Sequence, residues 1–145
     1  MNIIEIVLNA LKLIFRADSL LFEIIFLSLK VSIVALFISS SIAIILGYLL
    51  AIKNFYLKNV VLIFLNSFMG IPPVVVGLIV YFLFAYGGPF GALQLLYTPT
   101  AMIIAQILII FPIVSSLSHE IFFHNWKQYK DQFRSLNMPF FGIIK

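Results

Sequence analysis

Read for the period of its polar positions, the chain divides into a short striped segment, three long apolar segments and a charged tail. In the first fifteen residues the polar positions Asn2, Glu5, Asn9 and Lys12, continued by Arg16, recur at three- and four-residue steps among Ile, Leu and Val. That spacing draws a narrow polar stripe on a helix too short to cross a bilayer, and it predicts an interfacial helix over Met1–Phe15, lying along the surface or packed on the other helices. Asp18 and Ser19 supply N-cap chemistry for a second helix, and nothing interrupts its pattern before Lys53-Asn54. A helix from Ser19 to Ile52 would be about 51 Å long against a hydrocarbon core of about 30 Å. Its first part, marked by Glu23 and Lys30, is therefore expected outside the lipid, with the uncharged stretch Val31–Ile52 as the first span. Within that stretch Ala35, Ser39, Ala43, Gly47 and Ala51 recur every four residues, a ridge of small side chains on which another helix can pack closely.

The second apolar segment begins after Lys58 and reaches Tyr86, but Gly70-Ile71-Pro72-Pro73 falls roughly 18 Å into it. Proline lacks the N–H that would bond four residues back, so the carbonyls of Phe68 and Met69 are expected to be freed. The segment is expected to be broken near mid-membrane, as a functional discontinuity or as a kink relieved by packing. Gly87-Gly88-Pro89 and Tyr97-Thr98-Pro99 bracket an uncharged loop, and a third span is expected from Thr100 to Ser118, kinked at Pro112.

Composition turns this pattern into a class. Hydrophobic residues make up 63% of the 145 positions and charged residues 10%, where soluble domains have about 45–50% and about 25%. From Asn59 to His119, 61 consecutive positions carry no Asp, Glu, Lys or Arg. The fold class is all-α: an integral membrane protein of about three spans, read as one transmembrane domain over residues 1–145. The net charge of +4 comes from cations that flank apolar runs, which argues for membrane-protein loops and against nucleic-acid binding. The 22-residue first apolar run exceeds a signal-peptide core, so the N-terminus is expected to be retained. Six Lys and Arg (Lys53, Lys58, Lys127, Lys130, Arg134, Lys145) lie on one side of the three spans and three (Lys12, Arg16, Lys30) on the other. The positive-inside rule then places the Lys53–Lys58 loop and the C-terminal tail in the cytoplasm and the N-terminus outside.

The candidate chemistry is neutral. His119-Glu120-Ile121-Phe122-Phe123-His124 looks like a zinc-protease box, but its histidines are five apart rather than four and no third ligand is apparent, so no metal is expected. No Gly-rich phosphate loop is present, and with no catalytic constellation the chain reads as neither an ATPase nor any other enzyme; no cofactor is implied. No carboxylate or lysine lies between Val31 and Ile52 or between Asn59 and Ser118, which disfavours an ion-coupled transporter. The spans offer instead Ser39, Asn66, Ser67, Thr98, Gln106, Ser115 and Ser116, able to lend hydrogen bonds to a passing solute or to back-bond their own helices. A half-helix starting at Pro72 or Pro73 would point its positive end toward mid-membrane, where an anion could be stabilised. Gly70, Pro72, Pro73, Ser39 and Ser67 are the candidate pathway and gate residues.

Three stretches resemble a known family. They are Leu27-Ser28-Leu29-Lys30-Val31-Ser32, the run from Met69-Gly70-Ile71-Pro72-Pro73 through Val74-Val75-Val76-Gly77-Leu78, and the run from Thr98-Pro99-Thr100 through Gln106. They look like the permease subunit of oxyanion ABC importers, which include molybdate permeases, and most resemble permeases of tungstate importers. The resemblance covers about Leu20 to Ser118. It implies a homodimer in the cell inner membrane, fed by an extracytoplasmic tungstate-binding protein and driven by a cytoplasmic ATPase subunit. It also implies a coupling helix for that ATPase, matched here by Asp131, Gln132, Phe133, Arg134 and Asn137, although Gln132 and Phe133 replace two small residues of the family pattern. Family members continue into further spans, so the chain is expected to be an N-terminal portion of a permease, as a fragment, a split gene or a decayed one. The contrasting expectation is a small holin-like pore or interaction protein.

Overall fold

The computed structural model describes residues 19–135, with side chains to residue 129. The interfacial helix expected over Met1–Phe15 lies outside the described residues. Among them the chain forms α1 (Ser19–Ile52), α2 (Lys58–Met69), α3 (Pro73–Phe84), one 3-10 turn (Gly91–Leu93) and α4 (Pro99–Ser135), with no strand. The start of α4 follows from local chemistry. Thr98 donates its hydroxyl to the Leu95 carbonyl at 2.6 Å and accepts the Ala101 N–H at 3.4 Å, while Pro99 occupies the first helical position, where a missing N–H costs nothing.

Helices α1 and α4 form the main packing unit of the fold. Val31, Ala35, Ser39, Ala43, Gly47, Leu50 and Ala51 are the buried residues of α1, so the four-residue ridge of small side chains is the face turned inward. Large residues on the other faces stay uncovered, among them Phe37 at 75% and Ile45 at 61% exposure, as expected of a surface facing lipid. The register is parallel. Gln106 donates from its amide to Ser32 at 3.4 Å near one end, and Gly47 lies against Ser115, Ser118 and His119 near the other. The two pairs share nearly the same sequence offset, and both numbers rise together.

A parallel α1 and α4 require the chain between them to return. Helix α2 begins that return, because Lys58 lies over Phe123 of α4 and Asn66 meets Ser116, so α2 runs antiparallel to α4. The return is broken. Between α2 and α3 the axis turns by 101°, far beyond a proline kink, and each half is only about 18 Å long by helical rise. Only the α2–α3 pair together with the loop from 85 to 98 brings the chain back to the level of Pro99. Two helices are long and apolar enough to cross a membrane outright, and the bent pair, taken as one span, makes a third.

Three features differ from the sequence reading. The Phe68 carbonyl is not freed, because the turn at Gly70 lets Ile71 N–H reach it at 3.2 Å, a tight i to i+3 bond that replaces the missing helical one. The helix that contains the third span does not end with it at Ser118: α4 runs unbroken to Ser135 and passes through Pro112, whose missing N–H costs one bond without ending the helix. Residues 131–135 are thus the end of that same helix, and no turn sets them apart as a short element of their own.

Candidate functional site

The structure distributes the sequence-derived pathway residues over two places. Gly70, Pro72 and Pro73 lie at the bend and are exposed. Pro72 caps α3 with an extended backbone (φ −58°, ψ 136°), and its carbonyl accepts Val75 N–H at 2.9 Å and Val76 N–H at 3.4 Å. Two prolines in succession remove two of the amide donors that a helix start offers to an anion, which leaves the N-terminus of α3 a poorer anion cradle than its dipole alone implies. Ser67 donates to the Ile63 carbonyl at 2.8 Å and Ser41 to Phe37 at 2.7 Å, so both hydroxyls are held by their own helices. Ser39 is elsewhere: it is fully buried between α1 and α4, and its hydroxyl has no hydrogen-bond partner.

A second constellation was legible only in part. Ser116, His119, Glu120 and Phe123 recur at three- and four-residue steps on α4 and therefore share one face. That face looks toward Asn66 and Met69 of α2 across a cleft of about 350 Å³, lined by these residues and Leu117. Ser116 is buried and donates its hydroxyl to the Asn66 side-chain oxygen, tying the two helices. His119 stacks on Phe123 with ring centroids 5.6 Å apart, and the Lys58 ammonium lies 5.4 Å from the same ring, a cation–π contact. Sequence reasoning weighed His119 and Glu120 as part of a zinc-box look-alike and as the water-facing end of a span, not as partners of α2. The spacing shared with Ser116 was the available signal, but it acquires meaning only once α2 is known to lie opposite. Among the described residues no group of three His, Cys, Asp or Glu is placed to hold a metal ion.

Of the coupling residues, Asp131, Gln132, Phe133 and Arg134 lie in the last turns of α4, and Asn137 lies outside the described residues.

Two uninterrupted apolar helices and a bent pair of half-length helices joined at a Gly-Ile-Pro-Pro turn define a multi-pass, all-α membrane protein. Comparison with known proteins narrows the class. The chain is 44% identical over 112 residues, 77% of its length, to the tungstate uptake system permease protein TupB of Peptoclostridium acidaminophilum. It is 37% identical over 91 residues, 63% of its length, to a "probable anion ABC transporter permease protein" of Haloferax volcanii. A second TupB, from Campylobacter jejuni, is 38% identical over 64 residues, 44% of this chain and 27% of the relative. The chain is thus similar in sequence to proteins named as permeases of a tungstate uptake system and of an anion ABC transporter. It spans about half the length of the curated relatives it matches: 49% of the Peptoclostridium protein and 39% of the Haloferax protein. No family model and no solved structure matches it.

Proposed function

We propose that the chain is part of the transmembrane subunit of an ATP-driven importer of tungstate or a related oxyanion such as molybdate. In this reading it contributes to the translocation pathway, works in a homodimer embedded in membrane lipid, receives substrate from an extracytoplasmic binding protein and docks a separate ATPase subunit, having no ATPase site of its own. The observation that carries the reading is the 44% identity to a permease named for tungstate uptake. The broken crossing supports it, since a bend of 101° inside an apolar segment exposes turn backbone that lipid alone would not satisfy. The Lys53–Lys58 loop and the end of α4 then face the cytoplasm, and residues 131–137 offer the ATPase its contact. Selectivity among oxyanions belongs mainly to the binding protein, because the spans present neutral hydrogen-bonding groups and no charged cage.

The test is tungstate uptake, with co-purification of the ATPase subunit, in cells lacking their own importer and expressing the chain together with the spans that complete its relatives. Uptake above background that depends on this chain supports the reading. Dye leakage without tungstate uptake or ATPase binding would assign it to the holin-like class, and the absence of all three would mark it as a non-transporting remnant.

A further inference from the structure

We propose that the turn between α1 and α2, Lys53–Lys58, together with Lys127 of α4, is a binding site for the headgroup of an anionic phospholipid. The lysines take the phosphate, and Phe55, Tyr56 and Leu57 seat the turn in the membrane interface. The site depends neither on which solute the chain carries nor on which face of the membrane the turn lies.

The level of the turn follows from the length of α1. The uncharged run Val31–Ile52 makes about 33 Å of helix and so fills a hydrocarbon core of about 30 Å. The Lys53 N–H then closes the last turn of α1 on the Leu49 carbonyl at 3.0 Å, and the Lys58 N–H bonds the Phe55 carbonyl at 3.1 Å where α2 begins. A connection this compact stays in the headgroup layer. Within it Phe55, Tyr56 and Leu57 project three successive side chains at 46%, 99% and 56% exposure. Leu57 even holds the N-cap position of α2, where no side chain caps the helix. In water this would be a bare apolar tip, whereas in the interface the rings of Phe55 and Tyr56 meet surroundings that are half apolar and half polar.

The charge around the tip is mostly of one sign. Lys53 is exposed at the end of α1. The Lys58 ammonium donates to the Asn54 side-chain oxygen at 3.4 Å and lies 5.4 Å from the Phe123 ring, which fixes it beside the turn. Lys127 follows Phe123 by four residues, so it shares that face of α4 one turn farther out. Against these three cations stands Glu120, three residues inward of Phe123. A zwitterionic headgroup brings an amine that competes for its own phosphate, whereas phosphatidylglycerol offers the phosphate with hydroxyls alone, so charge complementarity selects the anionic lipid. A protein is a poorer occupant, because a six-residue turn falls far short of the roughly 800 Å² that each partner of a stable interface buries.

The chain has a single tryptophan, Trp126, so Tyr56→Trp with Trp126→Phe moves the one indole to the tip, where the exposed side chain has no packing to displace. The full chain is placed in phosphatidylcholine nanodiscs holding a minor fraction of brominated lipid. Brominated phosphatidylglycerol should quench the fluorescence at least about threefold more than the same fraction of brominated phosphatidylcholine. Lys53→Gln with Lys127→Gln should abolish the excess, and Lys53→Arg with Lys127→Arg should keep it; Lys58 stays in place because it also holds Phe123. As a control, Tyr86→Trp with Trp126→Phe puts the indole on the uncharged loop at the other end, where the two lipids should quench equally. Equal quenching at position 56 would overturn the site. The same preference at position 86 would also overturn it, by assigning the attraction to the net charge of +4 on the whole chain. Quenching by neither lipid would put the tip in water and reject the lipid in favour of a protein partner.

Discussion

A methyl group on Gly47 would meet the Cβ of Ser118 at 2.6 Å and the backbone at His119 N and Ser115 O at 2.8 Å, so α1 and α4 approach closely here. Because two of the three obstacles are backbone, no rotamer change relieves the clash. Gly47→Ala should therefore destabilise the helix pair by about 1–3 kcal/mol, as overpacking does in other cores, and Gly47→Leu should prevent its formation. Gly77, where an added Cβ would meet nothing within 4 Å, is the matched control, and Gly77→Ala should be tolerated. Thermal unfolding in detergent compares the three; equal midpoints for Gly47→Ala and wild type would mean the helices sit farther apart.

The cap at Thr98 can be tested separately. Loss of its hydroxyl frees the Ala101 N–H and removes one of two hydrogen bonds to the Leu95 carbonyl, which still accepts the Thr98 N–H at 3.1 Å. Thr98→Ala should cost about 0.5–2 kcal/mol, most of it recovered by Thr98→Ser, read from the same unfolding midpoints.

Parallel α1 and α4 put Ser19 and Asn54 at opposite ends of the bundle and Asn54 near the end that bears Lys127. In intact cells, cysteine at Ser19 should label with an impermeant reagent, while cysteine at Asn54 or Lys127 should label only after permeabilisation. Labelling at Asn54 but not at Ser19 would invert the orientation while leaving the three-crossing topology in place.

At the bend, Pro72→Ala with Pro73→Ala returns two backbone donors and should let α2 and α3 straighten. Tungstate uptake should fall in cells that also express the completing spans. Unchanged uptake with normal insertion would show that the bend serves packing alone.

Charge reversal at Asp131 with Arg134→Glu should weaken ATPase co-purification and leave membrane insertion intact, since both positions lie at the far end of α4, beyond the apolar stretch. Phe133→Ala should keep or improve association by restoring a small residue. Abolished binding in that variant would make the aromatic a contact in its own right.

Local chemistry was enough to place most elements. The apolar runs, the four-residue ridge of small residues and the Thr-Pro and Pro-Pro pairs set where helices α1 to α4 begin and which face of α1 accepts a neighbour, because helix period, capping and proline sterics act within a few residues. Where α4 stops was not legible in this way, for its amphipathic end reads equally as tail or as helix. Tertiary structure alone decided the rest. The 101° turn and the pairing of Asn66 with Ser116 depend on how the helices lie against one another, whereas the bond from Ile71 to the Phe68 carbonyl is a local contact of the turn at Gly70. Partners 50 residues apart in sequence leave no local periodicity to announce them. The same holds for the parallel register of α1 and α4, which is what turns a bent pair of half-length helices into a crossing.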